Sequence, residues 1–219
     1  MTDIKQQLKT AYDADATRRD EDEKNRADWK IRVREEFINL LRKENKKSIL
    51  ELGSGPGVDS KYFMDQGFDV LATDLSPEMV KMCRKRNVPA KVLDLYKISS
   101  LGKKFDGIYS LNVLLHTPRT DLQKVLSGIH NALNDDGIFF YGVYGGSNEE
   151  KTIIDKTKMG LPRFFSFMTD ETLQEEAKKK FEVIKFEAID LKESRPGFHF
   201  QSLFLRKHSK KSRSTLRRK

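Results

Sequence analysis

The stretch ILELGSGPGVDS, residues 49–60, places three glycines within five residues directly after an apolar run. The apolar run predicts a short buried β-strand, and the residues after the glycines predict a helix, so the glycines form the turn between the two. Glycine is needed where the backbone adopts a positive φ or where a ligand approaches the main chain closely. The stretch therefore predicts a ligand-binding turn at the end of the first strand.

Outward from this turn, strand-like and helix-like segments alternate along the chain. We predict strands at residues 48–52, 68–74, 90–95, 105–112 and 137–145, and helices at residues 28–43, 59–67, 76–87, 119–137 and 169–180. Two later strands, at residues 181–190 and 198–207, are close enough in sequence to pair antiparallel. This order predicts an α/β fold with a doubly wound, seven-stranded, mostly parallel sheet, an antiparallel last strand and helices on both faces.

Three segments flank or interrupt this alternation. Residues 1–27 are highly charged and are expected to form an N-terminal helical or lid segment ahead of a main domain at residues 28–207. Residues 145–168 form a long mixed stretch, which we interpret as a substrate-side insertion because long segments of this kind inside a compact domain are usually functional. Residues 208–219 are expected to be a basic, disordered tail.

Composition restricts the class of protein. The 219 residues are 37% hydrophobic and 34% charged, which is typical of a polar globular chain. No apolar run approaches the ~20 residues of a membrane-spanning helix, and the N-terminus has no apolar h-region of a secretory signal. The single cysteine, Cys83, cannot form an internal disulfide. We therefore expect a cytoplasmic protein, monomeric or homodimeric, with no membrane partner.

The net charge of +9 is concentrated at the C-terminal end. Of the 42 Lys and Arg residues, eight lie in residues 206–219, which contain no acid, and this leaves 34 against 33 acidic residues elsewhere. The basic end is either an electrostatic arm for nucleic acid or a solvated terminus. The second interpretation is favoured, because the segment has no aromatic residue on which a base could stack.

The spacing of the glycines separates two classes of ligand. A dinucleotide fingerprint, G-x-G-x-x-G, would have its third glycine at position 58, where this chain has Val58. The turn instead reads G-x-G-x-G, from Gly53 through Gly55 to Gly57. It also contains Pro56, which has no amide to offer a pyrophosphate. The spacing therefore disfavours a nicotinamide dinucleotide.

This spacing, with Glu51 two residues before the first glycine, resembles the first motif of the class I S-adenosylmethionine-dependent methyltransferases. The resemblance covers roughly residues 29–206, and the chain is similar in particular to uncharacterised small bacterial members that share YGVYGG, RFFSF and HFQSL. It implies a Rossmann-like fold, S-adenosylmethionine as cofactor and S-adenosylhomocysteine as product. It does not imply a known acceptor.

The second and third strand ends carry residues suited to this cofactor. Asp74 ends the second strand, where a carboxylate can accept hydrogen bonds from both ribose hydroxyls, although nicotinamide enzymes also have an acid there. Leu75 and Met79 offer apolar surface to an adenine. The resemblance places Asp94 near the adenine amino group and the Leu95 amide near a ring nitrogen. Asp94 is alternatively a turn residue.

The first turn and the fourth strand complete the predicted cofactor site. The resemblance assigns Leu111 and Asn112, at the end of the fourth strand, to the methionine part of the cofactor. The predicted cofactor-binding residues are Glu51, Gly53, Ser54, Gly55, Gly57, Asp74, Leu75, Met79, Asp94, Leu95, Leu111 and Asn112.

The acceptor pocket is expected to be built from whatever covers the carboxyl edge of the sheet. Tyr12 and His116 are the candidate catalytic residues, with a surface histidine as the alternative interpretation of His116. The candidate substrate-binding residues are Arg19, Tyr144, Arg163, Phe165 and His199. The two arginines would suit a carboxylate-bearing acceptor, whereas the aromatic residues are alternatively core residues.

The activated methyl group of the implied cofactor means that the protein must position an acceptor rather than supply a nucleophile. No carboxylate cluster follows strands four and five, so we expect no metal. The favoured interpretation is methyl transfer to O or N of a small molecule. The alternatives are an RNA or protein methyltransferase that uses the basic tail, a non-catalytic cofactor-binding module and, least favoured, a nicotinamide-dependent oxidoreductase.

Overall fold

The computed structural model describes residues 2–22, 26–156, 160–191 and 198–207. Its helices are α1 (Thr2–Asp22), α2 (Asp28–Lys43), α3 (Val58–Asp65), α4 (Pro77–Lys85), α5 (Arg119–Ala132) and α6 (Asp170–Lys178). Its strands are β1 (Ser48–Leu52), β2 (Asp69–Asp74), β3 (Ala90–Val92), β4 (Phe105–Leu111), β5 (Leu133–Gly145), β6 (Glu149–Ile154), β7 (Pro162–Phe167), β8 (Glu182–Asp190) and β9 (His199–Arg206). Short 3₁₀ helices lie at Leu95–Leu101 and Leu114–His116.

Seven strands form one sheet in the order β3-β2-β1-β4-β5-β9-β8. The first five strands of the chain are parallel to one another, whereas β9 is antiparallel to both β5 and β8. The predicted doubly wound sheet, with its antiparallel last strand, is confirmed. The order reverses between β1 and β4, and in such sheets the crevice for ligands lies at the carboxyl ends of these two strands.

Both faces of the sheet are covered by amphipathic helices. On one face α2 buries its apolar stripe, and on the other α5 does the same; each buried large side chain contributes roughly 1.5–3 kcal/mol. The buried apolar residues of these two helices are Val33, Phe37, Ile38, Leu41, Leu122, Val125, Leu126, Ile129 and Ala132. Helix α2 lies so close to β4 that a Cβ at Gly107 would be 2.8 Å from Leu41 Cδ1. The tight layer fixes β4 and therefore the residues at its end.

Side-chain caps begin two helices where the sequence predicts them. The Ser76 hydroxyl accepts a hydrogen bond from the Met79 amide at 3.2 Å, and Pro77 occupies the first turn of α4. The Thr169 hydroxyl likewise accepts from the Thr172 amide at 3.3 Å at the start of α6. These caps hold the turns that follow β2 and precede α6.

Two predicted boundaries differ in the structure. Helix α5 ends at Ala132 rather than continuing to position 137, because Leu133 pairs with Phe105 and is fully buried as the first residue of β5. Strand β3 stops at Val92 rather than at position 95, because the Asp94 carboxylate accepts from the Tyr96 amide at 3.0 Å and caps a 3₁₀ helix instead.

The predicted insertion at residues 145–168 contains a β-hairpin. Strands β6 and β7 pair antiparallel as a separate two-stranded sheet. Helix α1 packs against β7 and α4, and β7 also contacts the 3₁₀ helix at Leu114–His116. Helix α1 and the hairpin thus lie together beside the turn after β4. The domain boundaries after residues 27 and 207 stay a prediction.

The first two residues of the basic C-terminal segment belong to the folded protein. Arg206 lies in β9 and forms an ion pair with Glu44, and the Lys207 ammonium donates to the Leu133 carbonyl at 2.7 Å. The predicted tail at residues 208–219 lies outside the described residues. No helix in the described part of the chain is long and apolar enough to cross a membrane.

Candidate active site

A cavity of about 670 Å³ opens at the carboxyl ends of β1, β2 and β4. The glycine turn after β1 forms part of its floor. Gly53 has a φ of +63°, and a Cβ there would lie 2.3 Å from Val113 Cγ2. Gly55 has a φ of +53°, and a Cβ there would meet no atom within 4 Å. The first glycine is required by packing, while the second leaves open space on the ligand side.

Three amides of the turn are already engaged within the protein. Ser54 N–H donates to the Thr73 carbonyl at 2.9 Å, Gly57 N–H donates to the Ser54 carbonyl at 3.0 Å, and Gly55 N–H donates to Asp74 at 2.9 Å. Pro56 has no amide hydrogen. A pyrophosphate is bound by free backbone amides at such a turn, so these bonds disfavour a dinucleotide on structural grounds.

Asp74 joins the first turn to the second. One carboxylate oxygen accepts from the Gly55 amide and the other from the Ser76 amide, each at 2.9 Å. Burial raises the pKa of Asp74 to about 6, against the lowering effect of these hydrogen bonds. The carboxylate therefore carries its full charge only above about pH 7.

Asn112 presents an unpaired acceptor to the cavity. Its φ is +59°, and its backbone N–H donates to the Gly142 carbonyl at 2.7 Å. Its side chain forms a hydrogen bond with Tyr144, whose pKa is raised by burial. The Asn112 side-chain oxygen is buried and has no hydrogen-bond partner within the described structure. An acceptor of this kind suits an ammonium group.

Helix α1 covers the cofactor end of the cavity. The Lys5 ammonium lies 2.7 Å from an Asp94 oxygen and 3.8 Å from the centre of the Tyr96 ring. About two turns further along α1, Asp13 accepts a hydrogen bond from the Ser76 hydroxyl. The expected lid is thus an ordered helix over Thr2–Asp22.

A hydrogen-bonded chain connects α1 to the hairpin at the other end of the cavity. The Tyr12 hydroxyl lies 2.5 Å from His116 Nε2, and His116 Nδ1 lies 2.6 Å from the Phe164 carbonyl oxygen. A carbonyl oxygen only accepts, so Nδ1 carries the ring proton and Nε2 accepts from the Tyr12 hydroxyl. The histidine is held in one tautomer by the backbone of β7.

His116 is neutral at physiological pH. Burial lowers its pKa to about 3; the hydrogen bond to Phe164 opposes this shift, and the charges of Arg163 and Arg19 add to it. The ring therefore has an available lone pair rather than a positive charge.

The structure places all but two of the predicted site residues in the cavity wall. The predicted residues in the wall are Tyr12, Arg19, Glu51, Gly53, Ser54, Gly55, Asp74, Leu75, Met79, Asp94, Leu95, Leu111, Asn112, His116, Tyr144, Arg163 and Phe165. Gly57 lies beneath the turn, where a Cβ would be 2.7 Å from Cys83 Sγ. His199 lies away from the cavity, with Nε2 2.7 Å from an Asp170 oxygen, and joins β9 to the start of α6.

Several wall residues were not predicted from the sequence. They are mainly the apolar and basic residues of α1 and the aromatic residues around the hairpin: Ile4, Lys5, Leu8, Arg18, Tyr96, Ile153, Phe167 and Phe198. Leu8, Tyr12 and Arg19 recur at helical spacing. That spacing places the three side chains on one side of α1.

Two conspicuous polar residues are structural. Asp106 accepts from the amides of Lys47 and Ser48, and its pKa is lowered to about 2 because hydrogen bonds outweigh the effect of burial. Burial raises the pKa of Cys83 to about 12, so this thiol is not a nucleophile at neutral pH. Both side chains therefore have structural roles. No group of three or more His, Cys, Asp or Glu side chains that could hold a metal occurs among the described residues.

Comparison with known proteins identifies the family. The model of a methyltransferase domain matches residues 22–183, which is most of the chain. A glycine/sarcosine N-methyltransferase of Halorhodospira halochloris is 29% identical over 123 residues, 51% of this chain and 46% of that protein. This chain spans less than two thirds of the length of the curated relatives that it matches.

Solved structures share the fold. The 1,6-didemethyltoxoflavin-N1-methyltransferase of Burkholderia thailandensis, solved with its substrate and S-adenosylhomocysteine, has a TM-score of 0.63 and 22% identity over 81% of this chain and 78% of that one. A complex of DhpI with S-adenosylhomocysteine has a TM-score of 0.69 and 17% identity over 91% of this chain and 96% of that one.

The family model matches most of the chain. The matched residues include the glycine turn, the carboxylate after β2 and the parallel strands of the sheet. S-adenosylmethionine is the methyl donor of the family concerned. The chain belongs to the methyltransferase domain family, within the class I S-adenosylmethionine-dependent methyltransferases.

Proposed function

We propose that this protein transfers a methyl group from S-adenosylmethionine to an oxygen or nitrogen of a small-molecule acceptor. The observation that carries the proposal is the single cavity, which joins the glycine turn and Asp74 at one end to the hydrogen-bonded Tyr12 and His116 at the other. A cofactor site and a hydrogen-bonding pair that could orient an acceptor therefore line the same cavity.

The residues present fit this cofactor. Asp74 would hold the ribose hydroxyls, and Leu75 and Met79 would line the adenine. The unpaired Asn112 side-chain oxygen suits the ammonium of the methionine part, and the open space at Gly55 admits a ligand to the backbone. When bound, the cofactor supplies an electrophilic methyl, so that transfer breaks a sulfur–methyl bond, forms an O–methyl or N–methyl bond and releases one acceptor proton.

The chain contributes the orientation of the acceptor. The Tyr12 hydroxyl can accept a hydrogen bond from the acceptor while it donates to His116 Nε2. Neutral His116 accepts the hydrogen bond of the Tyr12 hydroxyl and orients it, because its other nitrogen is fixed by the Phe164 carbonyl. With a pKa of about 3 the ring is too weak a base to keep the proton at neutral pH, so the acceptor proton leaves to water. Helix α1 and the hairpin exclude water around this pair. Positioning of this kind contributes about 7–11 kcal/mol towards lowering a barrier.

The test is a pair of measurements on the full chain. Isothermal titration compares S-adenosylmethionine, S-adenosylhomocysteine and NAD, and we expect binding of the first two only. Incubation of a metabolite extract with methyl-labelled S-adenosylmethionine should then label a small molecule. Binding of NAD alone would contradict the cofactor. Tight binding without label in any fraction would indicate a cofactor-binding module.

Removal of residues 208–219 tests whether the acceptor is a small molecule or a nucleic acid. We expect the truncated protein to label the same small molecule at the same rate. An RNA substrate would instead be bound less tightly by the truncated protein, and its affinity for the full chain would fall steeply with salt.

A further inference from the structure

The acceptor end of the cavity is lined by a continuous row of rings. Tyr12, His116, Phe165, Phe167 and Phe198 follow one another, with successive centroids 5.5, 4.8, 5.5 and 4.7 Å apart. All five residues belong to the cavity wall although they come from four separate parts of the chain. This row, called the ring row below, gives one side of the cavity an aromatic wall, in which only Phe165 and Phe167 are nearly parallel and the other rings are tilted against their neighbours.

Arg163 is a cation without a partner beside this row. Its guanidinium lies 5.5 Å from the centre of the Phe165 ring, and its side chain is half-buried in the cavity wall. Among the described residues, the Arg163 guanidinium makes no side-chain hydrogen bond and no ion pair, while the Arg163 backbone pairs with Ile153 in the hairpin. In an apolar wall, the charge and the hydrogen-bond donors of an unpaired guanidinium are only partly compensated. A planar anion matches both best.

Arg19 shows the contrast on the opposite side. Its guanidinium lies 4.6 Å from the centre of the Tyr12 ring, but its Nε donates to Asp15 at 2.9 Å. Asp15 also binds Arg18, which pairs in addition with Asp22, so two carboxylates neutralise these two arginines. Among the described arginines of the cavity wall, Arg163 is therefore the one whose guanidinium donors no carboxylate engages.

We propose that the acceptor is a ring-bearing carboxylic acid, whose ring lies against the ring row and whose carboxylate is bound by Arg163. This inference rests on the proposed function and names its substrate class. The Arg163 guanidinium, unpaired by any described carboxylate, matches one carboxylate in charge and in planar, bidentate geometry. The ring row supplies apolar contact worth about 25 cal/mol for each Å² that the acceptor buries.

This assignment separates the protein from the relative that it resembles in sequence. Glycine and sarcosine, named for that relative, are small and polar, and neither has a surface that five aromatic rings could cover. Glycine and sarcosine share only the carboxylate with the proposed ring-bearing acid. We therefore expect both amino acids to be poor ligands here.

The experiment titrates matched probes into the full chain with saturating S-adenosylhomocysteine. The probes are hydroxybenzoates, aminobenzoates and hydroxyphenylacetates, each paired with its primary amide, together with the corresponding aryl phosphates, glycine and sarcosine. We expect at least one ring-bearing acid to bind about 10- to 100-fold more tightly than its amide, the range of a charge-assisted pair. Glycine and sarcosine should bind more weakly than that acid.

Arg163→Gln should remove the preference for the acid over the amide, and Arg163→Lys should restore part of it. Arg42→Gln is the matched control, because Arg42 is an exposed guanidinium bound to Gln66 outside the cavity wall. Unfolding midpoints should be alike in all three variants, since the Arg163 side chain makes no hydrogen bond that the fold needs.

The proposal is overturned if no ring-bearing acid binds, if acid and amide bind alike, if the preference survives Arg163→Gln, or if the phosphates or sarcosine bind best. In any of these outcomes, the methyltransferase assignment would still stand if the protein binds S-adenosylhomocysteine and transfers labelled methyl to a small molecule of the metabolite extract.

Discussion

The two ends of the cavity are built in different ways. The cofactor end consists of backbone at the ends of parallel strands, and its donors and acceptors are engaged locally, as between Gly55 and Asp74. The acceptor end consists of side chains brought together from distant parts of the chain, as between Tyr12 and His116. The first end depends on the sheet, and the second depends on how α1 and the hairpin lie against it.

This difference predicts which property each substitution affects. Changes at the cofactor end should lower the affinity for S-adenosylmethionine and the free energy of unfolding together. Changes at the acceptor end should lower kcat, with little effect on the affinity for S-adenosylmethionine or on the free energy of unfolding.

Asp74→Asn should have the largest effect on the cofactor end. An amide cannot accept from both the Gly55 and Ser76 amides, so the variant loses at least one charge-assisted bond of about 1.5–3 kcal/mol as well as its contact with ribose. We expect S-adenosylmethionine affinity to fall about 100-fold by titration calorimetry. Asp69→Asn, at the exposed start of the same strand, should leave the affinity unchanged.

The same carboxylate predicts a pH dependence. Its native pKa of about 6 lies above the ordinary value of 3.8, so the native state binds more protons between about pH 4 and 6. The free energy of unfolding of the cofactor-free protein should therefore decline as pH rises through this window, while cofactor affinity increases up to about pH 7. A pH-independent affinity for the wild type would contradict the assignment, and Asp74→Asn should lack both effects.

Tyr12→Phe should reduce kcat about 100-fold, the range for a misplaced acceptor, because the acceptor loses the hydroxyl that orients it. Affinity for S-adenosylhomocysteine should stay within about twofold. Tyr62→Phe is the matched control, since the Tyr62 hydroxyl donates to Glu35. An equal loss of kcat in both variants would remove Tyr12 from the mechanism.

Gly53→Ala compared with Gly102→Ala isolates the packing of the glycine turn. Both residues have φ near +60°, so both variants carry the strain of a left-handed residue, about 1–2 kcal/mol. Only the Cβ at Gly53 meets Val113, so this variant should lose about 1–2 kcal/mol more in urea unfolding and bind S-adenosylmethionine about tenfold less tightly. Equal losses of stability would mean that Val113 moves freely.

Lys5→Gln should have the smallest effect. The ion pair with Asp94 is partly exposed, so its loss should change the free energy of unfolding by less than about 1 kcal/mol. Dissociation of S-adenosylhomocysteine should become about two- to fivefold faster in stopped-flow measurements. Lys61→Gln, which removes a surface pair with Asp65, should not alter that rate.

The sequence predicts the sheet and α2 well, because their signals are local. Helix α2 occupies the predicted residues, since its apolar stripe and its charges separate at helical period. Asp74 and Asn112 could be located because strand ends meet at one edge of a parallel sheet.

The remaining elements depend on tertiary contacts. Helix α1 buries few apolar residues, so its pattern gives little periodic signal. The hairpin is defined by packing on the turn after β4, and the Phe164 carbonyl that fixes His116 cannot be read from a side-chain pattern. Leu133 fits the stripe of α5 in sequence, but its pairing with Phe105 places it in β5.

The engaged amides of the glycine turn also bear on selectivity inside a cell. ATP and NAD are abundant competitors for any adenosine-binding crevice, and both share the adenine and ribose that the second and third strand ends would recognise. Rejection of these nucleotides needs no repulsive side chain here, because their phosphates would lose water and find the amides of Ser54, Gly55 and Gly57 already donated. Because these three amides are already donated, we expect the turn to disfavour phosphate-bearing adenosine compounds as ligands.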